Sequence, residues 1–308
     1  MSIVSDDPAD MPPLLGPGES PDPAQAFRVL RDTAALWFEP GGQTLIVTFD
    51  NLATLDHPYP RQPWLKPLVQ GMGFSLLGVQ SFAKDWYRNP DAAPLVQGLV
   101  AEGFFARFDR VVFIGASMGA FGAINMATLV PGAAVIALSP QSTMSKKITP
   151  FEGRFGWAVR RGDWTTPAFL DAADAIRQIG HAVVLFDGRI TEDRLHAARL
   201  AGPNVQLLRI DHTTHEAVRV VLKCGALGPL IAGVATNGRA GSEFWRAMRN
   251  RRSVRKWARA FFETVTAEAH PARIRAAGGV LLKQDDYLFV HRGLQTLAQT
   301  SQAQTPQD

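Results

Sequence analysis

The strongest chemical signal in the chain is Gly115-Ala116-Ser117-Met118-Gly119. It follows the apolar run Val111-Val112-Phe113-Ile114 and precedes a stretch at 118–130 that reads as a helix ending before Pro131. A serine in G-x-S-x-G spacing between strand and helix sits on a sharp turn, and the flanking glycines let strand and helix pass closely. The helix start places backbone N–H groups and partial positive charge beside the serine oxygen. Gly122, one turn later, is small enough to let the helix approach the sheet. A serine so placed is a candidate nucleophile toward carbonyl carbon.

A serine nucleophile needs a base, and the base needs an orienting carboxylate. The strand-like run Val205–Ile210 is followed by Asp211-His212-Thr213-Thr214-His215-Glu216. The run Val183–Phe186 is followed by Asp187-Gly188-Arg189-Ile190-Thr191-Glu192-Asp193. The order Ser, Asp, His, each after a strand, resembles the α/β-hydrolase superfamily. The resemblance covers roughly residues 34–223 and points to no single protein.

The resemblance implies His215 as general base, in the loop before the last helix of the fold, with Thr214 standing where glycine is usual; His212 is the second candidate. It implies Asp187 as the acid, with Asp193 as runner-up. Asp187 ends a strand, whereas Asp193 follows the N-cap candidate Thr191 in the first turn of a helix, where the macrodipole already explains a carboxylate. One oxyanion donor is the N–H of Met118, and the other belongs to the loop after Thr44–Phe49, at Phe49, Asp50 or Asn51. The His-Gly pair often found in that loop is absent, which argues against the HGGG lipase-like subgroup. The implied activity is ester or thioester hydrolysis, or acyl transfer, through an acyl-serine. The alternative is a binding or scaffold protein with a weak or idle triad, working through its basic C-terminal helix. No cofactor is expected: no Walker A loop, G-x-G-x-x-G, H-E-x-x-H or zinc-finger spacing occurs.

The elements that must hold these residues alternate in type. Ala34–Phe38 and Thr44–Phe49 are apolar runs joined by Pro40-Gly41-Gly42, a hairpin signal. Phe74–Val79 is a third strand, 94–107 reads as a helix, and Ala133–Leu138 follows the serine helix. Short apolar strands between helices predict an α/β fold, a mostly parallel sheet covered on both faces. Residues 141–180 interrupt the rhythm with Phe151, Phe155, Trp157, Arg160, Arg161, Trp164 and Phe169, and read as a small helical cap. Trp86 and Tyr87, after the Phe74–Val79 strand, either line a substrate wall or pack a loop.

The 308 residues are 46% apolar and 19% charged, enough for one core domain at 27–240. Residues 1–26, rich in Pro, Gly and Asp, read as a disordered leader, and 297–308 as a disordered tail. The start is acidic, without the basic and apolar regions of a signal peptide, and no apolar run reaches membrane-spanning length, so a cytoplasmic location is expected. The lone Cys224 reads as a buried small hydrophobe. The net charge of +4 resides in a C-terminal extension at 241–296. Arg246, Arg249, Arg251, Arg252, Arg255, Lys256 and Arg259 fall there against Glu243 alone within 241–260. Residues 241–268 read as one long helix with a core stripe at Val254, Trp257, Ala258, Phe261, Phe262 and Val265. Its arginines either meet an anionic surface or partner, or form a solvated face. No specific nucleic acid is expected.

Overall fold

A computed structural model describes residues 11–16 and 18–303. The chain runs β1 (Phe27–Leu30), β2 (Ala34–Glu39), β3 (Gly42–Phe49), α1 (Lys66–Gly71), β4 (Phe74–Ser81) and α2 (Ala92–Ala101). It continues through β5 (Arg110–Ala116), α3 (Met118–Ala127), β6 (Ala134–Leu138), α4 (Gly156–Val159), α5 (Ala172–Ala175), β7 (His181–Phe186), α6 (Thr191–Arg199) and β8 (Val205–Arg209). Then come α7 (Ala217–Lys223), α8 (Leu227–Asn237), α9 (Ser242–Met248), α10 (Arg255–Ala267), α11 (Pro271–Leu282) and α12 (Leu288–Ala303).

The strands form one eight-stranded sheet in the order β1-β2-β4-β3-β5-β6-β7-β8. From β4 to β8 all neighbours are parallel; β2 runs antiparallel to both β1 and β4. The hairpin expected across Pro40-Gly41-Gly42 does not form. Leu36 on β2 pairs with Val79 on β4, and Val47 on β3 pairs with Leu77, so β4 lies between them. The reason is burial: β4 is buried from Ser75 to Ser81 and needs a neighbour on each edge and cover on each face. The hairpin partner of β2 is β1, which the sequence pattern did not reveal.

The central strands are buried on both sides. Phe38, Leu45, Val47, Phe49, Phe113 and Val135 pack toward α2 and α3, while Ile46, Val112, Ile114, Ile136 and Val183 pack toward α7 and α8. Cys224 is buried in the second layer. Among the described residues, no single helix is long and apolar enough to cross a membrane.

Three regions depart from the sequence pattern. Within the expected leader, Leu15 N–H donates to Arg28 O at 2.8 Å and Arg28 N–H to Pro13 O at 2.8 Å, so this part lies along β1; residues 1–10 and 17 are outside the described residues. Within the expected tail, α12 continues to Ala303, and 304–308 are outside the described residues. The segment 141–180 holds only two four-residue helices and a 3₁₀ turn at Ile176–Gln178; the rest is irregular.

The basic segment is broken. A 3₁₀ stretch, Arg249–Ser253, separates α9 from α10, and Val254 takes an extended conformation between them. Val254, Trp257, Ala258 and Phe262 are buried as the stripe predicts. Several cations are paired: Arg246 with Glu243, Arg259 with Glu263, and Lys256 with Glu216.

Candidate active site

Ser117 stands between β5 and α3 with φ 53° and ψ −117°, a conformation non-glycine residues rarely adopt. Close passage of strand and helix imposes it. A Cβ on Gly115 would lie 2.1 Å from Gly119 O, and one on Gly119 would lie 2.6 Å from Asp50 O. Both positions therefore require glycine. Ser117 N–H donates to Leu138 O at 2.8 Å, fixing the turn to β6. Met118 is the first residue of α3, so its N–H has no acceptor one turn back. Gly122 faces Tyr87 and Phe49, whose ring carbons would lie 2.6 and 2.9 Å from a Cβ there.

His215 meets Ser117 directly: its Nε2 lies 2.9 Å from Ser117 Oγ. The loop after β8 that carries it is tightly built. Thr213 Oγ1 donates to Ile210 O at 2.9 Å, and Thr214 takes φ 61° with its N–H donating to Asp187 Oδ2 at 2.7 Å. Glycine is therefore replaceable here because Asp187 stabilises a strained threonine. His212 points elsewhere, with its ring centroid 5.8 Å from Trp257 and 5.4 Å from Phe261. Burial, the largest influence on it, holds its pKa below the usual histidine value.

The two aspartates exchange the places expected of them. Asp193, in the first turn of α6, sets Oδ1 at 2.9 Å and Oδ2 at 3.0 Å from His215 Nδ1. Its side chain is 0% exposed. Asp187 does not contact the imidazole; its Oδ1 accepts from Arg189 N–H at 2.9 Å and its Oδ2 from Thr214 N–H. The physical reason is reach. Asp187 turns back onto the backbone of its own turn and of the histidine loop, and α6 directs Asp193 inward.

Beyond Asp193 lies a chain of charges that no sequence signal announced. Arg154 Nη1 donates to Asp193 Oδ1 at 2.8 Å, and its Nη2 donates to Glu152 Oε2 at 2.6 Å. Glu152 Oε2 also lies 3.1 Å from His196 Nε2, while His196 Nδ1 accepts from Ser142 N–H at 3.0 Å. Because Nδ1 is an acceptor, the neutral His196 carries its proton on Nε2 and donates it to Glu152. Burial pushes the Glu152 carboxyl up, but hydrogen bonds from His196 and Arg154 outweigh it and hold the pKa down at about 2. Arg154 also stacks 5.4 Å from the Phe155 ring, and that ring lies 5.8 Å from the His215 ring.

Gln141, fully buried after β6, also went unannounced. Its Oε1 accepts from Trp86 Nε1–H at 3.0 Å. The indole is only a donor, so this contact identifies the amide oxygen and turns the NH₂ toward Ser117 Oγ at 3.2 Å and His215 Nε2 at 3.4 Å. Trp86 and Tyr87 have φ of 56° and 57°, held by Asp85 Oδ1, which accepts from Tyr87 N–H at 2.9 Å. Neither forms an open wall. Trp86 is 0% exposed, and the buried Tyr87 hydroxyl donates to Asp50 O at 3.0 Å.

The loop after β3 is organised around Asp50, whose buried carboxylate pairs with Arg61. Burial outweighs that arginine and pushes the Asp50 carboxyl up to about 6. Asn51 N–H is committed to Thr54 Oγ1 at 2.9 Å, so Asn51 is not an open donor. Among the described residues, no group of three or more His, Cys, Asp or Glu is placed to hold a metal ion.

The strand order, the parallel centre and the serine at the β5–α3 turn define the α/β-hydrolase fold. No family model matches the chain, and no curated protein matches it. Among solved structures it is similar to a capsule O-acetyltransferase of Neisseria meningitidis serogroup A, at 9% identity and TM-score 0.44, over 62% of this chain and 89% of that one. It is also similar to an esterase of Pyrococcus furiosus, at 16% identity and TM-score 0.41, over 70% and 95%. An esterase of the planctomycete Thermogutta terrifontis matches at 16% identity and TM-score 0.44, over 68% and 90%. Likeness at this level bears on neither substrate nor chemistry.

Proposed function

We propose that this protein is a serine hydrolase acting on an ester or thioester, or transferring its acyl group, through an acyl-serine. The observation that carries the reading is the unbroken contact series Ser117 Oγ–His215 Nε2 and His215 Nδ1–Asp193, centred on a strained serine at a helix start. His215 takes the Ser117 proton as Oγ attacks the carbonyl carbon. Asp193 orients the imidazole and stabilises the imidazolium. The N–H of Met118 faces the developing oxyanion, with a second donor from the loop at Asp50. Collapse expels the alcohol or thiol, protonated by His215. Water, or an acceptor alcohol, then takes the acyl group by the same proton path in reverse.

A second reading is a weakly active or idle hydrolase-like binding protein. Arg154 favours it, because a guanidinium on Asp193 Oδ1 competes with the imidazolium for the same carboxylate. Turnover of p-nitrophenyl esters of graded chain length separates the two. The hydrolase reading expects hydrolysis that Ser117→Ala and His215→Ala abolish. Hydrolysis absent from wild type, or equal in the variants, supports the binding protein.

A further inference from the structure

A cavity of about 830 Å³ opens beside the loop that carries His215, and Ser117, His215 and Asp193 are not among its lining residues. Arg209 at the end of β8 and Ile210, Asp211 and His212 after it form one side; α9, the 3₁₀ stretch Arg249–Ser253, α10 and α11 form the rest. Its volume falls in the range of small-molecule sites.

The lining is of two kinds. Trp245, Trp257, Phe261, Val280 and Leu281 form an apolar wall, of which Trp245 remains 46% exposed and Val280 40% exposed. The charged lining is four arginines against one aspartate, Asp211. Arg209 is held by Asp211 through two contacts of 2.8 and 2.9 Å, and Arg273 pairs with Glu268 at 3.1 Å. Arg251 lies over Trp257, 5.3 Å from its ring centre, with its Nη1 donating to Met248 O at 3.0 Å, and Arg252 is exposed. Among the described residues, neither Arg251 nor Arg252 has a carboxylate within ion-pair distance. His212, lowered in pKa by burial, adds no charge near neutral pH.

We propose that this cavity binds a single-chain amphiphile with one anionic head, a carboxylate or a phosphate. Arg251 and Arg252 take the head, since a guanidinium fork matches the oxygens of either group. The chain covers Trp245 and Val280, apolar surface otherwise left in water. A cationic amphiphile is excluded by the arginines, and a neutral one leaves them without an anion. The site is independent of the Ser117 chemistry.

The test is calorimetric titration of the full chain with decanoate, decyl phosphate and decanol, each below its micelle-forming concentration. Decanoate or decyl phosphate should bind one to one, and whichever binds identifies the head group. Decanol should bind at least about tenfold more weakly. Arg252→Glu and Val280→Asp are both at exposed positions. Each should weaken the anion at least about tenfold while the melting temperature holds. Arg259→Glu, outside the cavity, should bind as wild type does. No binding of either anion, equal binding of decanol, or binding unchanged in Arg252→Glu would overturn the proposal. So would retention on phosphatidylglycerol vesicles without binding of the free anions, which would place the arginines on a membrane surface instead.

Discussion

Arg154 and His215 share one carboxylate oxygen: Asp193 Oδ1 accepts from Arg154 Nη1 at 2.8 Å and lies 2.9 Å from His215 Nδ1. The carboxylate beside the imidazole is thereby tied to a guanidinium that also holds Glu152. Arg154 joins α6 to the irregular segment after β6, alongside the contacts of His196 with Ser142 and Glu152.

Replacing Arg154 with alanine leaves Asp193 and Glu152 buried without their shared cation. Removing one partner of a buried pair costs about 3–5 kcal/mol. The 24% exposure of Arg154 and the remaining His196–Glu152 contact place this case at the lower end. Urea denaturation should show a loss of about 3 kcal/mol, with Arg154→Lys recovering part of it. A variant as stable as wild type would mean the pair is not formed in solution.

Asp193→Asn should cost orders of magnitude in kcat on any ester the wild type accepts, with a serine-protease precedent of about 10⁴. Asp187→Asn should retain far more turnover and act mainly on the Thr214 loop, whose N–H its carboxylate accepts. Steady-state kinetics of the two variants decide between them. A large kcat loss in Asp187→Asn with Asp193→Asn near normal would contradict the geometry.

Trp86 and Gln141 should act as one unit. Gln141→Leu removes the amide donor beside Ser117 Oγ and should lower kcat about tenfold, the worth of one hydrogen bond. Trp86→Phe releases the Gln141 amide to rotate and should have a smaller effect in the same direction. The double variant should be no slower than Gln141→Leu alone, because the indole acts only through the amide. Additive losses would show that Trp86 has a separate role.

The Asp50 carboxyl predicts a pH-dependent stability difference. Its pKa rises on folding from 3.8 to about 6. Between these values the unfolded chain gives up the proton and the folded chain keeps it, so stability falls as pH rises from about 4 to about 6. The stability of wild type relative to Asp50→Asn should therefore decline across that window by at most about 3 kcal/mol, and be flat above it. Urea midpoints at half-unit pH steps measure this. A difference that grows with pH would mean Arg61 dominates the burial.

Some of this site was legible in the sequence, and the reasons are local. Gly115 and Gly119 announce Ser117 because only glycine permits the backbone contacts around it. His215 was legible from its place between an apolar strand and a helix. Asp193 was legible only as the second candidate, because a carboxylate in a first helical turn already has an ordinary explanation, and burial against His215 is a tertiary fact. Gln141 and Arg154 belong to an irregular segment without periodicity, so nothing in their spacing marks them. Among the strands, Pro40-Gly41-Gly42 reads as a hairpin because turn signals are local, whereas the pairing of β2 with β4 is decided by the burial of β4. The stripe through Trp257 and Phe262 located a core face, and the break at Arg249–Ser253 left no trace in that stripe.

The proposed chemistry requires Ser117 to be a nucleophile activated by His215. Its most direct test is labelling with a fluorophosphonate probe, followed by mass spectrometry of the digested protein. One adduct is expected, on Ser117, absent from Ser117→Ala and strongly slowed in His215→Ala. Wild type that stays unlabelled, or labels equally in Ser117→Ala, would contradict it.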